Sequence, residues 1–211
     1  LMANFSDFVP EVLAAAPDCP NPTIIRTVRA AVRDLCEKAD CYRYTLEAQT
    51  VLLGSSDVEL DVPAFTTLHK VIKLTLGKNT LEATSVTLEN DRDPEWRTRI
   101  GTPKYFLRST EDLNNVIITP KAEKEYSLVG EIALKPSLTA TAINDVFVDR
   151  FYQTIIDGAI YKLLMIASAP WYNPQQGSQH GAMFLQGVSA ASSQAQNDNT
   201  PKRRIVRYGG I

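Results

Sequence analysis

Histidine is scarce in this chain: its 211 residues include only His69 and His180. That poverty counts against most acid–base and metal chemistry at neutral pH. Cysteine is scarce too. Cys19, Cys36 and Cys41 are odd in number and form no CxxC pair, which excludes a disulfide framework and the usual zinc-ligand spacing. Long apolar runs are missing. The most apolar stretch, residues 155–169, is interrupted by Asp157, Tyr161, Lys162 and Ser168, short of the ~18 residues a spanning helix needs, so no membrane partner is expected. The first residues lack the basic-then-apolar layout of a signal peptide. There is no phosphate-binding glycine loop, no GxSxG and no HExxH. The reading is not an enzyme: no catalytic residue, no cofactor and no metal site is expected.

What is present describes a folded domain. Apolar residues make up 44% and charged residues 22%, which rules out disorder as the dominant state. Net charge is −2, unevenly spread. Residues 197–211 carry Lys202, Arg203, Arg204 and Arg207 against Asp198, a net of +3, which leaves −5 for the rest. An acidic body with a basic tail reads as an arm that docks on something acidic.

The periodicity divides the chain. Phe5, Phe8, Val9, Val12 and Leu13 share one helical face, with either Ser6 as N-cap or a later start marked by Pro10. A clearer helix spans residues 21–39, read with Asn21 as N-cap and Pro22 at the first helical position. Ile24, Ile25, Val28, Ala31, Val32, Leu35, Cys36 and Ala39 form its apolar stripe. Arg26, Arg29 and Arg33 share the opposite face. They read either as a solvated face or as a contact with a neighbouring subunit.

Near Tyr42 the period changes from 3.6 to 2. Tyr44, Leu46, Ala48 and Thr50 alternate with polar residues, and so do Val58, Leu60 and Val62. Further strands fit residues 71–76, 105–108, 116–119 and 126–134, separated by turn signals, with one helical turn at 85–89. This predicts an antiparallel sandwich or barrel. Helical periodicity returns at Asn144, a second N-cap, and is expected to run over 145–168 until Pro170. Asn173-Pro174 repeats the start signal for a last helix to about Gln196. Its glycines, Gly177, Gly181 and Gly187, predict close approach of a neighbouring helix.

The expected fold class is therefore α+β. Residues 1–41 and 141–196 form a small helical bundle. A β-domain at 42–140 is inserted between its second and third helices, and 197–211 is an extended C-terminal arm. Cys36 with His69 could in principle make a nucleophile–base pair, but Cys36 lies on the apolar stripe and reads as a core thiol. Glu89, Asp91, Asp93 and Glu95 could hold calcium. They lack an EF-hand pattern and stand beside Arg92, Arg97 and Arg99, so a solvated loop is expected.

Several short patterns occur in an order that resembles the head-to-tail adaptor (connector) proteins of podovirus-like tailed bacteriophages. They are Phe8-Val9-Pro10-Glu11-Val12-Leu13, Pro20-Asn21-Pro22 and Arg29-Ala30-Ala31-Val32-Arg33-Asp34-Leu35-Cys36 at the start. Gly101-Thr102-Pro103-Lys104-Tyr105 with Val116-Ile117-Ile118-Thr119-Pro120 resembles the family's hairpin. Asp157-Gly158-Ala159-Ile160-Tyr161-Lys162-Leu163-Leu164 resembles its third helix. Ala169-Pro170-Trp171-Tyr172-Asn173-Pro174, Phe184-Leu185-Gln186-Gly187-Val188 and Arg203-Arg204-Ile205-Val206-Arg207-Tyr208 complete the match.

The resemblance implies a structural virion protein at the head–tail interface, assembled from the host cytoplasm. It implies a homo-oligomeric ring, usually of twelve copies, between a portal protein and a tail nozzle or tube protein. Double-stranded DNA would pass through without specific binding, which an acidic body suits. With a portal as partner, Lys202, Arg203, Arg204, Ile205, Val206, Arg207 and Tyr208 are expected to be the portal-binding arm. Alternation gives each face of that arm both charge and apolar surface. Arg26, Arg29, Arg33 and Trp171 are candidates for the subunit interface, Trp171 reading otherwise as a core anchor of the bundle. The alternatives are another connector layer (a tail completion or nozzle protein) or a nucleic-acid-binding protein using its basic tail.

Overall fold

The computed structural model describes residues 2–197. The expected arm, from Lys202 to Tyr208, lies outside the described residues. The chain opens with β1 (Met2–Asn4), a 3-10 turn (Phe5–Phe8), α1 (Val9–Ala15) and α2 (Asn21–Ala39). Next come β2 (Arg43–Val51), β3 (Asp57–Glu59), β4 (Thr66–Leu76), β5 (Asn79–Ala83) and α3 (Val86–Arg92). They are followed by β6 (Ile100–Gly101), β7 (Tyr105–Arg108), β8 (Asn115–Thr119), β9 (Lys121–Ala122) and β10 (Tyr126–Pro136). The last elements are β11 (Ala142–Asn144), α4 (Asp145–Leu164) and α5 (Pro174–Gln196). The fold is α+β, and two compact units partition it: Tyr42–Ile143, and the described part of Leu1–Cys41 with Asn144–Ile211.

In the helical unit, α4 packs on both α2 and α5. The apolar stripe of α2 is buried at Ile24, Val28, Ala31, Val32, Leu35, Cys36 and Ala39, while Ile25 is half-buried. The start of α2 differs from expectation by one position. Asn21 is already helical, Pro20 occupies the cap, and no side chain caps the turn. Ser6 is not a cap either. The opening turn is tied by the Asn4 N–H donating to Asp7 Oδ2 at 3.0 Å, because Asp7 stands where a capping-box acid reaches back.

Asn144 and Asn173 cap as expected: their side chains accept from Val146 N at 2.9 Å and from Gln176 N at 3.2 Å. α4 ends at Leu164, four residues before the expected 168, so Pro170 is not what stops it. The Leu164 carbonyl is instead taken by the Asn173 N–H at 3.1 Å, which turns the chain toward α5. Inside α4, Phe151 leaves helical geometry at φ −122° and ψ 15°, which kinks the helix.

In the β unit, seven strands make one sheet in the order β2-β10-β4-β5-β7-β8-β3, nearly barrel-shaped and antiparallel except for β5 against β7. A parallel pair needs a long crossover, and α3 lies in it. α3 runs longer than the single turn read at 85–89, starting from Ser85, whose Oγ accepts from Leu88 N at 3.3 Å. The core gathers Leu46, Leu60, Leu68, Leu74, Leu76, Ile118, Leu128 and Ile132.

The alternation read along β2 breaks. Leu46 and Val51 are buried, but Ala48 and Thr50 are exposed. The register explains it. Leu128 pairs with Gln49 and Gly130 with Leu46, so β2 carries one extra residue and its inward face switches. Gly130 is required there, because a Cβ would lie 2.5 Å from the Lys73 carbonyl oxygen.

Candidate functional site

The sequence offers no catalytic constellation, so its candidate functional residues are those that build surfaces. α2 turns Arg26, Arg29 and Arg33 to one side, three and seven residues apart. Arg26 is exposed; Arg29 and Arg33 are half-buried. Arg33 Nη2 lies 3.6 Å from Glu37 Oε1, one turn further on. Trp171 lies on a different element, the turn between α4 and α5. Its ring is half-buried, and its buried Nε1 finds no hydrogen-bond partner among the described residues. Tyr172 and Met165 beside it are exposed.

α5 is 23 residues long and contains no Asp, Glu, Lys or Arg. It holds its place by contact rather than by charge. The expected close approach is present: an added Cβ would meet the Tyr161 ring at 2.9 Å from Gly181 and Met165 Sδ at 3.2 Å from Gly177. From α4, a Cβ on Gly158 would meet the Phe184 ring at 2.7 Å. Met183 and Leu185, on the two flanks of the buried stripe that runs through Phe184, are more than half exposed.

One polar cluster was not foreseen. Asp157, read from sequence as an interruption of an apolar stretch, is buried on α4. Its Oδ1 lies 2.8 Å from His180 Nδ1 on α5, and Gln153 Nε2 donates to the same oxygen at 3.4 Å. A carboxylate amid apolar helix positions was the available signal, since buried charges come with partners. Lys162 Nζ on α4 meets Asp34 Oδ2 on α2 at 2.6 Å. Tyr152 on α4 stacks on Phe8 and donates to Glu11 Oε1 at 2.6 Å. That bond, with lesser help from burial and the negative charge, pushes the phenol up to about 12.

The acidic run is not a solvated loop throughout. Glu89 is buried and held by Arg92 Nη1 at 2.5 Å and Thr84 Oγ1 at 2.8 Å, while Arg99 Nε takes Asp93 at 2.8 Å. Arg97 stacks on the Trp96 ring at 4.4 Å. These arginines occupy carboxylates a cation would need. Among the described residues no cluster of His, Cys, Asp and Glu could hold a metal ion, and no helix is long and apolar enough to cross a membrane. Cys36 is wholly buried, and burial pushes its thiol well up, as a core thiol requires.

The family model of the SU10 adaptor protein matches residues 3–207. The chain belongs to the SU10 adaptor protein family. A search of curated proteins gives no match. Membership makes the chain a structural phage adaptor and a component of the virion, in a family that is not an enzyme class. An adaptor of this kind works through contacts with other virion proteins.

Proposed function

We propose that this adaptor joins the portal to the tail. Copies assemble into a ring, of twelve in the reading adopted here, that lines the DNA channel at the head–tail interface. The observation that carries the reading is the family match over residues 3–207, which takes in the basic segment as well as both units. The charge distribution supports it. An acidic body does not attract phosphate, so a duplex can slide past it. α5 carries no Asp, Glu, Lys or Arg and exposes Met183 and Leu185 on the two flanks of its buried stripe, which supports burial between copies. In this reading Arg26, Arg29, Arg33 and Trp171 lie at the subunit interface. The β unit, residues 42–140, is a domain inserted in the helical bundle, and no step of the protein's work is catalytic.

Residues Lys202, Arg203, Arg204, Ile205, Val206, Arg207 and Tyr208 serve as the portal-binding arm. Four cations interleaved with three apolar side chains suit a strand laid on a partner's sheet edge. Native mass spectrometry of the protein mixed with its portal tests the assembly. A symmetric ring on the portal is expected, and an absence of any higher species overturns the reading. Truncation after Asn199 should keep the melting temperature and abolish portal capture at physiological salt. Equal capture would move the docking surface to the helices. Assembly with a tail protein but never with a portal would place the chain in another connector layer.

A further inference from the structure

The two edge strands of the seven-stranded sheet are successive in sequence. β2 pairs only with β10 and β3 only with β8, and residues 52–56 join them. The sheet therefore curls until its two ends face each other without pairing. A groove of about 210 Å3 lies at this seam, lined by Gln49, Val51, Leu52, Ser55, Asp57 and Glu59 among others. Gln49 Oε1 is buried here and has no hydrogen-bond partner among the described residues. Leu52 and Leu53, in the link between the strands, are 58% and 64% exposed. An unpaired edge is an acceptor for an added strand.

The run of chain that supplies both edges of the seam carries charge of one sign. From Tyr44 to His69 the chain carries Glu47, Asp57, Glu59 and Asp61 and not a single Lys or Arg. Glu47, Asp57 and Glu59 are exposed. Arg97 borders a neighbouring cavity that shares Asp57 and stacks on Trp96. The segment that complements this seam is in the same chain. Residues 202–208 supply four cations, and an extended backbone places Arg203, Ile205 and Arg207 on one face and Arg204, Val206 and Tyr208 on the other. Either face offers apolar surface to Leu52 and Leu53 and cations to the carboxylates.

We propose that residues 202–208 of a second copy of this chain dock as an added strand at the β2–β3 seam. The proposal rests on the reading of this segment as a docking strand and deepens it: the seam holds the arm until the portal displaces it. The arm is thereby shielded from wrong partners, and the seam from edge-to-edge aggregation. The contact is between exposed charges and therefore sensitive to salt.

The test uses the full chain with a benzophenone photocrosslinker in place of Tyr208, and a second preparation with it in place of Val206. Copies labelled with 15N are mixed with unlabelled copies, irradiated and digested. Crosslinks joining labelled to unlabelled peptides within residues 47–59 are expected, falling at least fivefold at 0.5 M salt. They should fall likewise in Glu47→Lys/Glu59→Lys, whose fold is checked by its melting curve. The control Glu82→Lys/Glu111→Lys, with the same change of charge at exposed sites, should crosslink like the parent. Crosslinks confined to single copies, crosslinks elsewhere, or equal yield from Glu47→Lys/Glu59→Lys each overturn the seam. The portal titration is read separately. A ring that still forms on the portal while the seam crosslinks are missing would sink this inference and leave the adaptor reading standing.

Discussion

Asp157 on α4 and His180 on α5 meet at 2.8 Å, with the carboxylate 4% exposed and Gln153 as a further donor. The pair is the polar pin of an otherwise apolar helix contact. His180→Ala should lower stability by about 1–3 kcal/mol, because it leaves a buried carboxylate without its main partner. Asp157→Ala/His180→Ala should lose less than the sum of the two single changes. Urea unfolding of the three variants checks this; an unchanged midpoint for His180→Ala would show the pair to be idle.

Gly158 gives a second prediction. A methyl group there would stand 2.7 Å from the Phe184 ring and 3.0 Å from Ala31 Cβ, so α2, α4 and α5 would all have to shift. Gly158→Ala should cost about 1–3 kcal/mol by overpacking, despite alanine's higher helix propensity. Stabilisation in a thermal melt would show that the three helices separate easily.

The Tyr152–Glu11 bond gives a pH prediction. The folded phenol is raised to about 12 from an unfolded value near ~10. A raised value means that the bond's contribution is complete below pH ~10 and is lost as pH climbs through 12. Ultraviolet titration should show one of the eight tyrosines ionising late. Tyr152→Phe should remove that late step and flatten the stability profile between pH 10 and 12.

Trp171 gives a fourth. Most of its surface is buried, so Trp171→Ala should cost about 3–4 kcal/mol, from ~25 cal/mol per Å2 over roughly two thirds or more of the side chain. Among the described residues Nε1 has no partner to lose, so Trp171→Phe should retain most of the stability. A Phe variant as damaged as the Ala variant would mean that Nε1 has an acceptor, one supplied by a neighbouring copy.

The helices and most strands were legible because they are written locally. Asn144 and Asn173 cap as their residue type requires, and the hairpin of β4 and β5 turns at Gly77, whose φ of +61° a two-residue loop demands. What was not legible depends on distant partners. The face switch in β2 is set by pairing with Leu128 and Gly130, some eighty residues away. The end of α4 is set by the Asn173 amide and not by Pro170. Glu89 reads as solvated because charged residues usually are, and it is buried because Arg92 and Thr84 close over it. The acidic seam was spelled out as a long stretch without Lys or Arg, but only the sheet order gives that stretch two facing edges.

The partners of α2 are encoded late. Its apolar stripe is buried by α4 and α5, which begin only after residues 40–144 have been made. At ~5–20 residues per second, translation of that stretch takes roughly 5–20 s, during which Ile24, Val28, Val32 and Leu35 have only the opening turn and α1 to pack on. The β unit, complete once β10 emerges, can close in that interval. The nascent chain thus passes through a stage with a finished sheet and a helix still lacking α4 and α5, and that helix is where chaperone capture on the ribosome is to be looked for.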